Sequence, residues 1–193
     1  DGTTDITRPV TTGTPTPEQI AAFTNVLNGV IAISRARWPK GLSGRDLDPL
    51  ARAALWRAGQ DYDHGTGHGV GVFLSVHEGP QRLSRVSNVP LRPGMILSNE
   101  PGYYRPGEWG IRIENLVVVA EAPKLDGGDA EREQFCFTTL TYAPIDTRLV
   151  DAARLSPGER AWLNAYHDEG EARIGPRVGP DTRAWLQKAC EAV

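Results

Sequence analysis

The sequence predicts an α+β fold: two helices, an antiparallel sheet and terminal helices, with no recurring strand–helix–strand alternation. Apolar residues return at helical spacing within residues 14–39 and 43–59. In "GIRIENLVVV" they alternate with polar ones, the period of a half-buried strand. A polar turn, "DGGDAERE", separates that run from a second strand-like run, "FCFTTLTYAP", and so predicts an antiparallel hairpin.

In chain order, "DITRPVTTG" reads as a short strand that ends where Pro and Gly forbid further pairing. Residues 14–39 read as an amphipathic helix, with Thr16 as cap, Pro17 in the first turn and a stripe of Ile20, Phe23, Val26, Leu27 and Val30 or Ile31. A second helix carries Leu47, Leu50, Ala54 and Leu55 and stops at Gly59. Strand-like segments follow at 63–80, 93–104 ("PGMILSNEPGYY") and 109–121 ("WGIRIENLVVVAE"), with Ile111 and Ile113 on one face and Arg112 and Glu114 on the other. Helical patterns return from Ser156, where Pro157 and Glu159 complete a capping-box signature, and again at 181–193.

A chain of 193 residues, 39% hydrophobic and 23% charged, is ordinary for one folded domain and excludes disorder. No apolar run reaches membrane-spanning length, and no targeting segment is present. A net charge of −3 with interspersed signs argues against a nucleic-acid surface. Cys136 and Cys190 form no CxxC pair, so neither a zinc ribbon nor a disulfide framework is expected, and a cytoplasmic home is. The chain starts without methionine and Met95 is its only one, so processing or truncation is expected.

The stretch "DHGTGHGVGVFLSVHEGP" holds three of the four histidines. It is not a dinucleotide loop: the G-x-G-x-x-G pattern fails at Val70 or Val72, and no GK[ST] follows. Nor is it a helical zinc motif, since each glycine would cost a helix about 1 kcal/mol. Extended backbone would turn His64 and His68, four apart, to one side, while the glycines let a ligand approach closely. His77 needs a turn or bulge to join them. The alternative is a set of hydrogen-bonded structural histidines.

The acids favour a site. Glu100 lies among apolar residues and Glu114 sits mid-strand, where a carboxylate is costly unless paired or coordinating a cation. An ion pair of Glu114 with Arg112 is the competing account. Asp5 is a third such acid. An imidazole with several carboxylates suits manganese, cobalt or zinc, and two such ions make a water nucleophilic near neutral pH and clamp a scissile carbonyl.

"DGTTDITR", "HGTGHGVG", "VHEGP", "SNEPGYY" and "GIRIENL" together resemble the aminopeptidase P (Xaa-Pro aminopeptidase) branch of the pita-bread metallopeptidases. "FTTLTYAPIDTRLVD" and "WLNAYH" resemble the long-form enzymes of that branch. The resemblance implies the carboxy-terminal portion of a pita-bread fold, a curved antiparallel sheet flanked by helices over residues 1–150 with a helical extension at 151–193. It implies two divalent ions, typically Mn2+, with Zn2+ or Co2+ as alternatives. Asp5, His68, Glu100 and Glu114 match metal ligands, Asp5 and Glu114 bridging. His64 and His77 match substrate-cleft histidines, with His68 also facing substrate; His64, His77 and Glu100 match groups that assist proton movement or charge stabilisation. Arg112 matches an arginine that orients carboxylates.

The implied activity is release of the first residue from peptides with proline second, by a homodimer. A prolidase and a non-catalytic binding module are the alternatives. The resemblance also implies a further aspartate ligand at a position ahead of Asp1, and a preceding portion of the enzyme. Asp1 itself would stand roughly 13 Å from Asp5 on an extended strand, too far to replace that ligand. The chain alone is therefore expected to bind one ion well and to be inactive unless complemented.

Overall fold

In the computed structural model, which describes residues 2–193, Thr16 caps helix α1 (Pro17–Ser34). Its hydroxyl accepts from the Gln19 N–H while the Gln19 side chain accepts from the Thr16 N–H, a full capping box. Asp1, considered above, lies outside the described residues. The helix is not the one-sided amphipath expected: from Ala22 to Ser34 only Asn28 and Ala32 escape burial. A helix wrapped on most faces is central. It ends earlier than the pattern suggested, and Arg37–Pro39 forms strand β1 instead.

Ser43 precedes α2 (Gly44–Arg57), which packs against α1 so closely that a Cβ on Gly29 would stand 2.3 Å from the Ala51 carbonyl oxygen. The buried row is Leu47, Ala51 and Leu55, joined by Asp48 and Arg52; Leu50 is exposed and Ala54 half-buried. The expected stripe was therefore displaced, because the face toward α1 follows a four-residue ridge that includes a charged pair.

The expected strand at 63–80 is almost wholly loop. Only β2 (Gly67–His68) pairs, with β3 (Arg82–Leu83), and Gly69 makes an isolated bridge to Leu97. The two long strands expected next each break in two. The first becomes β4 (Ile96–Asn99) and β5 (Gly102–Arg105), the second β6 (Trp109–Arg112) and β7 (Asn115–Glu121). β4 pairs with β7, while β5 and β6 form a hairpin of their own. The predicted β7–β8 hairpin is present, β8 being Gln134–Thr139, and β1 adds to its far side for a sheet of order β1-β8-β7-β4. Every pairing is antiparallel.

The first segment is likewise no strand. Thr7 alone bridges, to Glu114. Pro9 has no N–H to offer, and the Arg8 guanidinium takes the place of a partner strand by donating to the carbonyls of Thr7, Glu114, Ala143 and Pro144.

Ser156 and Glu159 form the expected capping box on α3 (Pro157–Ile174), followed by α4 (Pro180–Ala189). Leu155, Leu163 and Tyr166 join α1 residues such as Phe23 and Leu27 in one apolar cluster. A second cluster, with Trp38, Leu97, Val117 and Phe137, fills the space under the four-stranded sheet. No helix among the described residues is long and apolar enough to cross a membrane.

On α3, His167 is 1% exposed; its Nε2 accepts from the Ile145 N–H at 3.1 Å and its Nδ1 has no partner. Burial, with the Arg8 charge adding to it against Asp168, pushes this imidazole down to about 4 from 6.5. The folded state then refuses a proton that the unfolded chain accepts below 6.5. Stability is unaffected above that pH and is lost as pH falls from 6.5 toward 4. Urea titrations should show about 2 kcal/mol less stability at pH 5 than at pH 7 from this group. His167→Gln should flatten that slope; an unchanged slope removes His167 as its source.

Candidate metal centre and histidine cleft

The strand breaks build the site. Asn99 on β4 lies opposite Asn115 on β7, so the next residue of one strand and the preceding residue of the other, Glu100 and Glu114, are brought side by side. Pro101 ends β4, and Glu114 leaves the sheet line to bridge Thr7. Both carboxylates are buried, at 7% and 2% exposure. Thr7 Oγ1 donates to Glu114 Oε2 at 2.5 Å, and Ser98 Oγ donates to Glu100 Oε1 at 2.9 Å. Asp5 is on the same inward-facing alternation as Thr7, with Ile6 exposed between them.

His68 enters from β2. Its Nδ1 meets the Gly69 carbonyl at 3.0 Å; a carbonyl only accepts, so this nitrogen carries the proton and Nε2 offers a lone pair when the ring is neutral. That Nε2 stands 3.4 Å from Asp5 Oδ2 and 3.3 Å from Glu100 Oε1. Ligand atoms of Asp5, His68 and Glu114 all fall within 4.8 Å of one another. A lone pair facing carboxylate oxygens is poor company without a cation, so this donor set fits a divalent ion of the oxygen-preferring kind. Burial pushes the Glu100 carboxyl up, and the Glu114 charge pushes the same way, against Ser98, His68 and Arg112.

Arg112 does not pair with Glu114 as the sequence suggested. Its Nη1 lies 3.3 Å from Glu100 Oε2, and its Nε donates to the Tyr104 hydroxyl at 2.8 Å. Tyr104 is a residue that sequence reasoning missed, as are Thr7, Ser98 and Arg8. Its hydroxyl lies 2.9 Å from His64 Nε2, while His64 Nδ1 meets the Gly65 carbonyl at 2.7 Å. The Gly65 carbonyl again places the proton on Nδ1, so Tyr104 donates to Nε2. Burial pushes the His64 pKa down, with Arg112 and Arg52 adding to the effect.

His64, His68 and His77 line one open cavity of about 600 Å³ with Glu100, Arg112 and Gln81. His64 reaches it from a loop rather than from a shared strand. His77 joins through the intervening turn and packs against His68 at a tilt, ring centroids 3.9 Å and planes 37° apart. Asp5 and Glu114 are not among the described residues of its wall.

The glycines serve packing more than ligand access. A Cβ on Gly67 would stand 1.8 Å from the Ser98 carbonyl oxygen, and one on Gly69 would stand 2.0 Å from that of Glu78. The close approach expected of a ligand is made by the protein's own backbone.

An antiparallel α+β architecture that brings three carboxylates and one imidazole together beside a histidine-lined cleft is that of a pita-bread domain with a candidate metal centre. The chain belongs to metallopeptidase family M24, whose pattern matches residues 1–121, with the C-terminal region of the same family matching 133–193. It is 48% identical to a probable Xaa-Pro aminopeptidase P of Coprinopsis cinerea over 97% of this chain and 31% of that protein. It is 45% identical to aminopeptidase P1 of Arabidopsis thaliana over 100% of this chain and 30% of that one. In structure it matches the X-prolyl aminopeptidase of Caenorhabditis elegans, described as a cytosolic enzyme with a di-nuclear active site. The TM-score is 0.93 and the identity 40%, over 100% of this chain and 32% of that one. An Xaa-Pro dipeptidase from Bacillus anthracis matches at TM-score 0.58 and 30% identity, over 73% of this chain and 36% of that one. The chain thus spans about 30% of the length of the curated relatives it matches.

Gly67→Ala is expected to destabilise the fold by about 1–3 kcal/mol through overpacking. Gly13→Ala, where the added carbon meets nothing within 4 Å, should not. Thermal unfolding of the two variants compares them, and equal melting temperatures would contradict the packing role of Gly67.

Proposed function

We propose that this chain forms the metal-bearing part of an Xaa-Pro aminopeptidase. It would act with the preceding portion that relatives possess, as a cytoplasmic homodimer, on peptides whose second residue is proline. The observation that carries the reading is the convergence of the His68 Nε2 lone pair with the carboxylates of Asp5, Glu100 and Glu114. High coverage by aminopeptidase relatives supports it, and the shorter overlap with a dipeptidase weighs against a prolidase. The four retained donors weigh against a non-catalytic module. Homodimer and cytoplasmic placement follow the resemblance alone.

Asp5, His68, Glu100 and Glu114 would hold two divalent ions, manganese by preference and zinc or cobalt as alternatives, with Asp5 and Glu114 bridging. Such ions supply a water activated near neutral pH and polarise the scissile carbonyl. The chain's own groups do the rest. Thr7 and Ser98 aim the carboxylates by donating to Glu114 and Glu100, and Arg112 steadies the far oxygen of Glu100.

Of the three candidate ligand carboxylates, Glu100 is the one that lines the cavity, so it is placed to carry a proton to the departing prolyl nitrogen. His64, an acceptor at Nε2 while neutral, serves a substrate N–H or, once protonated, a developing oxyanion. His77, packed against His68, faces the substrate from the opposite end of the glycine loop. Residues 151–193 act as an extension of the domain formed by 1–150 rather than as a separate unit, a reading supported by the cluster that α3 shares with α1.

In a polypeptide of the relatives' length carrying this chain, Xaa-Pro tripeptides should be cleaved in preference to Xaa-Pro dipeptides. Activity should vanish with chelator and return with Mn2+. Glu114→Ala should lower kcat/KM by more than about a hundredfold and cut metal content. Wild-type turnover in that variant removes the bridging role, while preferential dipeptide cleavage favours the prolidase.

A further inference from the structure

The loop that carries His64 is gripped from behind by a buried ion pair that the chemistry above does not use. Asp48 and Arg52, one turn apart on α2, are 0% and 2% exposed. Arg52 donates from Nε to Asp48 Oδ2 at 2.7 Å and from Nη2 to Asp48 Oδ1 at 3.2 Å. Its remaining reach goes to one short loop: Nη1 to Asp61 Oδ1 at 2.7 Å and to the Tyr62 carbonyl at 2.6 Å, Nη2 to the His64 carbonyl at 2.8 Å. The guanidinium also lies over the Tyr62 ring, 3.9 Å from its centroid.

Asp48 holds the other side of His64. Thr66 Oγ1 donates to Asp48 Oδ1 at 2.6 Å; a carboxylate only accepts, so the Tyr62 hydroxyl donates to Thr66 Oγ1 at 2.5 Å. The Thr66 carbonyl then accepts the Glu100 N–H at 2.8 Å. One pair therefore clamps the loop before and after His64 and touches the backbone of a candidate metal ligand. A buried ion pair gives little net stability, since desolvation offsets its attraction. The groups it spends on a neighbouring loop point to placement.

We propose that Asp48 and Arg52, acting through Thr66, are positioning residues: they hold the 61–66 loop so that the His64 imidazole faces the cleft. None of the three lines the cavity. The proposal deepens the aminopeptidase reading and rests on it. Asp5, Glu100 and Glu114 stand on other segments and His68 is held by its own pairing with Arg82 on β3, so loss of the clamp is expected to degrade turnover of bound peptide more than ion binding.

Thr66→Val removes the hydroxyl at nearly constant volume, and Thr66→Ser keeps it. In an active polypeptide carrying this chain, Thr66→Val should lower kcat on an Xaa-Pro tripeptide by about tenfold or more. KM and Mn2+ affinity, the latter by calorimetry, should stay within about twofold, and Thr66→Ser should recover turnover to within about threefold. A bystander hydroxyl would shift the melting temperature alone. Wild-type kcat in Thr66→Val, or a loss that Thr66→Ser does not recover, overturns the proposal. Should Thr66→Val fail to fold, Arg52→Lys is measured in the same way, because it keeps the charge beside Asp48 and loses the fork to the Tyr62 and His64 carbonyls. No cleavage of Xaa-Pro peptides by the wild type overturns the aminopeptidase reading and this proposal together, whereas an active wild type matched by Thr66→Val overturns this proposal alone.

Discussion

Two carboxylates placed side by side where water is scarce set the terms for everything around them. The β4–β7 register puts Glu100 next to Glu114, and Asp5 arrives from a third segment. Like charges in a low-dielectric site repel strongly, and each must be met by donors or a cation. Thr7 supplies a donor to Glu114, while Ser98 and Arg112 supply donors to Glu100. The His68 lone pair faces the same space, which is what makes it a candidate cation site. The strand breaks follow from the same demand: a glutamate inside a continuous ladder would point across the sheet rather than into a shared pocket.

That arrangement needs the first segment held against the sheet without a ladder to do it, and Arg8 takes that part. Its guanidinium reaches the carbonyls of Glu114, Ala143 and Pro144, the Asn115 amide oxygen and the Tyr166 hydroxyl. Charge-assisted bonds of this kind are stronger than neutral ones, and Arg can make several at fixed angles. Because Tyr166 sits on α3, that helix is tied to the segment that carries Asp5. Helix α3 thereby becomes part of the support behind the segment that carries Asp5 and Thr7, and the same helix shares its apolar cluster with α1.

What could be read from the amino acids was whatever is decided locally. The capping boxes at Ser156 and the Thr16 cap depend on residues three apart, and the β7–β8 hairpin depends on a polar turn between two apolar runs. The break at Glu114 was hidden because it answers to Thr7, more than a hundred positions away. Asp48 and Arg52 have the spacing of an ordinary solvated helix pair, and nothing local reveals that the 61–66 loop covers them. Acids at the right places were legible as a candidate site. The neighbours that aim them, Thr7, Ser98, Tyr104 and Arg8, are common residues in common contexts, and only the register of distant strands gives them a task.

The histidines show how far a local device goes before tertiary structure decides. His64 and His68 are each followed by glycine, and each imidazole donates from Nδ1 to that glycine's carbonyl. The same short-range bond thus fixes the same tautomer twice and presents Nε2 outward both times. From there the two diverge. His64 Nε2 meets the Tyr104 hydroxyl, itself held by Arg112, and is kept as a neutral acceptor at the cleft wall. His68 Nε2 meets Asp5 and Glu100 and so joins the candidate donor set. The dipeptide His-Gly sets which nitrogen is free; the partner that crosses from β5 or from the first segment sets what that nitrogen is for.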